Sequence, residues 1–367
     1  MGSPTKFKLE KIKELFIQSR HFITKYFIWF ILFELSTLEK YDSQKMYATY
    51  DKWPIIARES WESIIEPIPL EGIDHIVFVG MGGSGAMGDL FEAIFSSTNI
   101  HVTIVKGYLL PKTVDQNTLV ICTSISGDTI ETISILEKIK KMDCRKIAMS
   151  SGGKIEKICN NSSVKYFKVP LFHSPRSSFT AFLYSLLRIL ETILPLTKTE
   201  VEDSINELET LQIKINSNKL DKSNPAIEIA IEVKGIPMIL YPNGFQAAAI
   251  RFKNSLQENA KTHVFTEDII EFCHNGIVSW EKKSEIIPIL IEGKDDHIKT
   301  KERWKIIKKF FQENNINFKE ISSIEGNILS KLVNLIYLLD YSTIYRAVMN
   351  KTDPSPVKSI DFIKKRL

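Results

Sequence analysis

The sequence predicts an α/β fold: two units of similar order, each a parallel sheet flanked by helices, with an extra N-terminal helical segment. Three observations lead there. Strand-like and helix-like runs alternate from His75 onward. The strand-like runs are apolar without in–out alternation, as strands covered on both faces are. The same order of elements returns after "DKSNPA", residues 221–226, a polar break with a proline. Identity between the halves is low, so the repeat is one of pattern alone.

In the first unit, "HIVFVG" (75–80) is an apolar β-rich run ending in glycine, and "GDLFEAIFSS" (88–97) reads as the helix after it. "HVTIVKG" (101–107) and "TLVICTSIS" (118–126) are the next two strands. "DTIETISILEKIKKM" (128–142) is an amphipathic helix opened by a Ser/Asp cap region. "RKIAMSSGG" (145–153) and "VKYFKVP" (164–170) continue the sheet, and "SFTAFLYSLLRILETIL" (178–194) closes the unit as a long apolar-faced helix. In the second unit, "IPMILYPNG" (236–244) is a strand and "FQAAAIRFKNSLQENAK" (245–261) a helix. "HVFTED" (263–268) and "SEIIPILIEG" (284–293) are strand-like, and "RWKIIKKFFQENN" (303–315) is helical. "NINFKEIS" (315–322) is a late strand, followed by the long helix "ILSKLVNLIYLLDYSTIYRAVM" (328–349).

Composition narrows the class. The chain has 367 residues, 44% hydrophobic and 25% charged, which are ordinary globular values. A net charge of +4 on this length does not point to nucleic acid. Cys122, Cys144, Cys159 and Cys273 stand far apart, which supports neither a disulfide framework nor a metal site and favours the cytoplasm. Near the start, the uninterrupted apolar core of "KYFIWFILFELSTL", Tyr26 to Phe33, is too short to span a bilayer. Basic residues precede it, yet no small-residue cleavage site follows. The expectation is an extra helix packed on the body or on a partner. The alternatives are a membrane-surface helix, with residues 20–36 the only segment suited to membrane contact, or a segment upstream of the true domain.

Two loops carry the chemistry. "GMGGSG", Gly80–Gly85, follows a strand and opens a helix, where glycines let backbone N–H groups approach an anion. It fits the dinucleotide pattern G-x-G-x-x-G, but the next strand ends in Lys106 where a ribose-binding carboxylate should stand. One strand further on, Thr123, Ser124, Ser126 and Thr129 surround Gly127 at a helix start, a dense set of donors for a phosphate monoester. Simple helix capping would need only one or two of these hydroxyls.

"TSISGDTIET" resembles the phosphosugar-binding loop of SIS (sugar isomerase) domains, and "GMGGSG" resembles the first glycine loop of the bifunctional phosphoglucose/phosphomannose isomerases. The resemblance covers about Tyr41 to Leu367. It implies two SIS-type subdomains: residues 41–220 with the sugar-phosphate loops, and 221–350 with the Glu/His segment. Residues 1–40 are then an extension and 351–367 a tail over the active site. It implies substrate contacts from Gly82, Gly83, Ser84, Ser124, Ser126 and Thr129.

SIS domains also serve non-catalytic regulators, so an acid–base constellation is needed for an enzyme. Isomerisation requires a base for the proton moved between adjacent carbons, an acid/base for ring opening and a cation for the enediolate. Glu258 in "ENAK" and His274 in "CHNG" resemble the family's Glu and His, sixteen residues apart. The resemblance makes Glu258 the base of a cis-enediol mechanism. It makes His274 the ring-opening group, reaching across a homodimer into the partner's site. Glu267 and Glu271 match no catalytic position, and His173 has no counterpart. Arg176 in "HSPRSS" resembles the arginine that stabilises the enediolate, a role suited to a planar, always-charged group. The tail "DPSPVKSIDFIKKRL" resembles the family's end, whose lysine assists ring chemistry; spacing favours Lys364, with Lys358 second.

The expected function is therefore an aldose–ketose isomerase of glucose 6-phosphate, and of mannose 6-phosphate, with fructose 6-phosphate. It would need no metal or cofactor, and no nucleic acid partner. The alternative is a non-catalytic SIS-domain sugar-phosphate sensor. The isomerase half of glucosamine-phosphate synthase is a further rival, though its glutaminase part begins with a cysteine after Met, where Gly2 stands.

Overall fold

The structure is a computed structural model and describes residues 34–367. The described chain begins with three short helices, Leu35–Tyr41, Met46–Tyr50 and Trp53–Trp61. Their apolar residues Leu38, Met46, Tyr50 and Trp53 are fully buried in the main core. The alternative that allowed membrane contact through residues 20–36 is overturned: no described helix is long and apolar enough to cross a membrane. Leu35–Tyr41 has only 7 residues, a fraction of the length a bilayer demands, and it turns Leu38 into the protein. The rest of that segment, and the extra helix expected there, lie outside the described residues.

A five-stranded parallel sheet follows, with β1 His75–Val79, β2 His101–Val105, β3 Thr118–Thr123, β4 Arg145–Ser150 and β5 Lys165–Lys168 in the order β2-β1-β3-β4-β5. The chain steps outward from β1 to β2, then returns across β1 to β3. The helices after β1 and β3 therefore leave toward opposite faces and open a crevice at those strands' carboxyl ends. β1 and β3 are buried along their whole length, which is why both read as unbroken apolar runs. The edge strands β2 and β5 are partly exposed.

The second sheet repeats the plan with four parallel strands: β6 Ile236–Tyr241, β7 Phe265–Asp268, β8 Ile286–Glu292 and β9 Lys319–Ser322, ordered β7-β6-β8-β9. Helix Gly83–Phe95, from the glycine loop, packs on helix Gln246–Asn259, which packs in turn on the long helix Ile328–Met349. That last helix is buried on nearly every side, including the polar Asn334, Asp340 and Thr343.

Several helices go beyond the sequence reading. Lys198–Ile215 opens with a capping box between Thr197 and Glu200 and buries Val201, Ile205, Leu208, Leu211 and Ile215. "DKSNPA" starts a helix rather than serving as a bare break. Asn224 accepts hydrogen bonds from the N–H groups of Ala226 and Ile227 (2.9 and 3.2 Å), and Pro225 takes the first helical position of Pro225–Glu232. Gly153–Asn160 and the C-terminal Lys358–Lys364 are also helical.

The N-terminal helices are stitched to the far end of the chain. Tyr50 stacks on Trp53, and Trp53 stacks on Tyr337. Tyr337 O–H donates to the carbonyl of Tyr50 (2.7 Å), and Ser43 donates to Asp353 (2.6 Å).

Candidate active site

The crevice between β1 and β3 is flanked by the two loops marked in the sequence. Gly82 caps the helix Gly83–Phe95 with φ near 54°, a left-handed conformation that favours glycine. In the second loop Gly127 has φ near 77°, and a Cβ there would lie 1.8 Å from the carbonyl oxygen of Gly152. The Ser126–Asp128 turn is thus seated directly on the Gly152–Gly153 turn. Thr129 is the N-cap of helix Ile130–Ile139 but makes no side-chain cap bond. Instead it accepts from Ser124 Oγ (2.8 Å), which itself accepts from the N–H of Gly127 (3.1 Å). The structure thus brings Ser124, Ser126 and Thr129 together at one turn.

Lys106 ends at a buried partner. Its Nζ lies 2.7 and 2.6 Å from the two carboxylate oxygens of Asp89, whose side chain is only 1% exposed. Burial raises the Asp89 carboxyl above the usual range, against the opposing pull of Lys106. The lysine that stands where a dinucleotide's ribose-binding carboxylate would be is therefore engaged in an ion pair.

Glu258 stands at the end of helix Gln246–Asn259 in a cleft of about 640 Å³, lined also by Gly82, Lys261, Asp353, Pro356 and Lys358. Arg176, in a 3-10 turn before helix Phe179–Ile189, is buried beside it. Its Nη1 donates to Glu258 Oε2 at 3.2 Å and its Nε to Asn259 Oδ1 at 2.6 Å. Its Nη2 donates to the carbonyls of Pro354 and Ser355, at 2.6 and 3.0 Å. Lys261 Nζ donates to the carbonyl of Pro356 (2.7 Å) and also to that of Glu258. Burial and then the charge of Arg176 lower the Lys261 pKa, while Glu258 acts the other way. Residues 353–357 thus form a strap across the mouth of the site, held by two cations.

The other expected site residues lie differently. Gly83 and Ser84 occupy the first turn beyond Gly82, with Ser84 buried. His274 is exposed in a turn after helix Ile269–Phe272, beyond the end of edge strand β7, and is not among the residues lining the cleft of its own chain. Glu271 accepts from the side-chain amide of Asn275 (2.7 Å), a local structural contact. Of the two tail lysines, Lys358 lines the cleft; Lys364 lies exposed at the other end of the same helix. His173 comes within 3.5 Å of Ser355 Oγ, with burial and Arg176 lowering its pKa. Sequence reasoning missed Asn259 and the strap as partners of Arg176, and Lys261 as the second cation that holds the strap. The prolines of "DPSPV", which mark a stiff extended segment, were the available signal. Among the described residues, no group of three or more His, Cys, Asp or Glu stands together as a metal site.

The chain is similar to known proteins. Residues 70–165 match the SIS domain, and residues 222–367 match the bacterial phospho-glucose isomerase C-terminal SIS domain. The chain is 29% identical to a bifunctional phosphoglucose/phosphomannose isomerase of Caldicellulosiruptor bescii, over 85% of this chain and 94% of that one. It is 30% identical to a protein of the same description from Aquifex aeolicus, over 84% of this chain and 94% of that one. A D-glucosamine-6-phosphate 4-epimerase of Sulfolobus acidocaldarius is 27% identical, over 67% of this chain and 77% of that one. Among solved structures, the C-terminal domain of glucosamine-fructose-6-phosphate aminotransferase from Francisella tularensis shares the fold. Its TM-score is 0.63 and its identity 17%, over 84% of this chain and 96% of that one. With two matched SIS regions and relatives aligned along nearly their whole length, the chain belongs to the SIS-domain phosphosugar isomerases.

Proposed function

We propose that this protein interconverts glucose 6-phosphate, and mannose 6-phosphate, with fructose 6-phosphate through a cis-enediol. One observation carries the reading: a carboxylate, Glu258, is held 3.2 Å from a buried guanidinium, Arg176, in a cleft that also contains Gly82. That juxtaposition is what proton transfer between adjacent carbons requires, a base with a fixed cation beside it. A sugar-phosphate sensor would have no use for it.

On this reading the phosphate sits among Ser124, Ser126, Thr129 and their backbone N–H groups, and Gly82, Gly83 and Ser84 line the sugar. Glu258 removes the C2 proton of the open-chain aldose while the C1 oxygen gains a proton. The electron pair of the broken C–H bond becomes the C1–C2 double bond of the enediol. Glu258 then returns the proton to C1, and the C2 oxygen loses its own proton to become the ketose carbonyl. Because C2 is planar in the enediol, both epimers reach one intermediate. Arg176 balances the charge on the enediolate oxygen. His274, supplied by the second subunit of a homodimer, assists ring opening. The lysine of the tail is Lys364 by resemblance and Lys358 by position at the cleft. The enzyme works, on this reading, in the cytoplasm.

The test is to give the purified protein fructose 6-phosphate without metal or nicotinamide and to follow both aldoses directly. Formation of glucose 6-phosphate and mannose 6-phosphate is expected. Glu258→Gln should lower kcat by about 100-fold or more while leaving sugar-phosphate binding intact. A wild-type protein that turns over neither sugar, or a Glu258→Gln variant of normal activity, defeats the proposal.

A further inference from the structure

Arg251 is fully buried on helix Gln246–Asn259, two turns before Glu258, and no step above uses it. An arginine in such a place requires a reason, since a buried charge is costly unless paired. Its first partner is Asp340 of the long core helix. Arg251 Nε donates to Asp340 Oδ2 at 2.8 Å, and Nη2 lies 2.7 Å from the same oxygen. Ser255 donates to the other oxygen at 2.7 Å. The guanidinium also lies 4.3 Å from the ring centroid of Phe179.

Two further contacts reach the site. Arg251 Nη2 donates to the backbone carbonyl of Arg176. Its Nη1 lies 2.8 Å from where a Cβ on Gly83 would stand, and beyond the glycine's own helix and chain neighbours nothing else comes within 4 Å of that point. The tip of a free arginine would swing away from an added methyl group. This one is clamped by Asp340 and by the Arg176 carbonyl, so the glycine loop rests on a fixed support.

We infer that Arg251 is a positioning residue: clamped by Asp340, it sets the glycine loop, the Arg176 turn and the Glu258 helix in register for proton transfer. The inference rests on the isomerase reading. The loop that lines the sugar belongs to the first sheet and the base to the second unit. Arg251 is where both meet the turn that carries the cation. Misplacement of a base by about 1 Å can cost about 100-fold in rate without weakening substrate binding. None of these contacts involves the phosphate loop Ser124–Thr129, so affinity for the sugar phosphate should survive.

A double-mutant cycle on the full-length protein tests this, with kcat and KM for fructose 6-phosphate read separately. Arg251→Lys keeps a charge for Asp340 but withdraws the second arm from Arg176 and Gly83. Gly83→Ala presses a methyl group on the clamped Nη1. Each single variant should lose about 10- to 100-fold in kcat, with KM changed less than about threefold. The double variant should be no slower than Arg251→Lys alone, because the shorter lysine leaves room for the methyl group. Losses that simply multiply, or an Arg251→Lys kcat equal to wild type, overturn the inference. If Arg251→Lys does not fold, Gly83→Ala decides alone: lowered kcat with unchanged KM supports the inference, and unchanged kcat overturns it. Inactive wild-type protein would remove the isomerase reading and this inference with it, whereas active wild type with an additive cycle removes the inference only.

Discussion

Arg176 and Glu258 approach to 3.2 Å, and the same guanidinium is already committed on its other edges. Nε is bonded to Asn259, and Nη2 to the carbonyls of Pro354 and Ser355. Arginine offers five N–H donors, so these contacts leave one, on Nη1, which the proposed reading gives to a developing negative oxygen. The cation is oriented before substrate arrives, which is the condition under which electrostatic stabilisation is strongest.

Arg176→Lys should therefore be far from conservative. A lysine ammonium cannot reach Asn259, Glu258 and the strap carbonyls in one plane. The expected loss is about 100-fold or more in kcat, with a lowered Tm as the strap is released. Steady-state kinetics and a thermal melt check both; a variant with normal kcat would show that the arginine acts only as scaffold.

If His274 is supplied in trans, two dead variants should complement each other. Mixed after co-refolding, Glu258→Gln and His274→Asn form hybrid dimers in which one of the two sites has both groups intact. Random pairing gives about a quarter of wild-type turnover, because half the dimers are hybrids and each carries one good site. If His274 serves its own subunit, mixing restores nothing.

Gly127→Ala should damage phosphate binding rather than proton transfer. The added methyl group would collide with the Gly152 carbonyl at 1.8 Å, at a φ that L-residues disfavour. The turn presenting Ser126 must shift. KM for fructose 6-phosphate should rise about tenfold or more, the cost of one displaced charge-assisted contact. Competition by inorganic phosphate should weaken in parallel; an unchanged KM would move the phosphate seat elsewhere.

The Lys106–Asp89 pair predicts a pH signature. Burial raises the folded-state pKa of Asp89 above its unfolded value, so the folded form holds a proton that the unfolded form has lost. Stability from this group is present at acid pH and declines as pH rises through the folded pKa. Lys106→Met removes the cation that opposes the shift and extends the decline toward neutrality. Urea unfolding should find the variant about 1 kcal/mol weaker near neutral pH, a modest figure because the lysine is partly exposed. The gap should close as pH falls below the raised folded-state pKa of wild-type Asp89, where the carboxyl is neutral in both proteins. A gap independent of pH would exclude this origin.

The fold was legible where local pattern and burial coincide. β1 and β3 are covered on both faces and read as continuous apolar runs. The helix Lys198–Ile215 was equally written in the chain: Thr197 and Glu200 form a capping box, and Val201, Ile205, Leu208 and Leu211 recur at helical spacing. Its charged outer face hid that stripe. The turn that gathers Ser124, Ser126 and Thr129 was legible because its residues are contiguous. Arg251 was not, since it looks like a solvated helix arginine until Asp340, 89 positions away, is placed beside it. The strap was hidden for the same reason: Arg176 and Pro354 are separated by 178 residues, and no local rule joins them.

The bond between Ser43 and Asp353 spans 310 positions, and the one between Tyr50 and Asp340 spans 290. These bear on the kinetics of assembly. Each parallel sheet can gather from its own stretch of chain, but the early helices cannot lock until residues some three hundred positions later are in place. Such closures are slow steps, because their entropy must be lost before any contact rewards it. Refolding should therefore run in two phases: secondary structure returns first, and the signal of Trp53, clamped between Tyr50 and Tyr337, returns later and together with function. A chain halted between the two would have both sheets and no working centre.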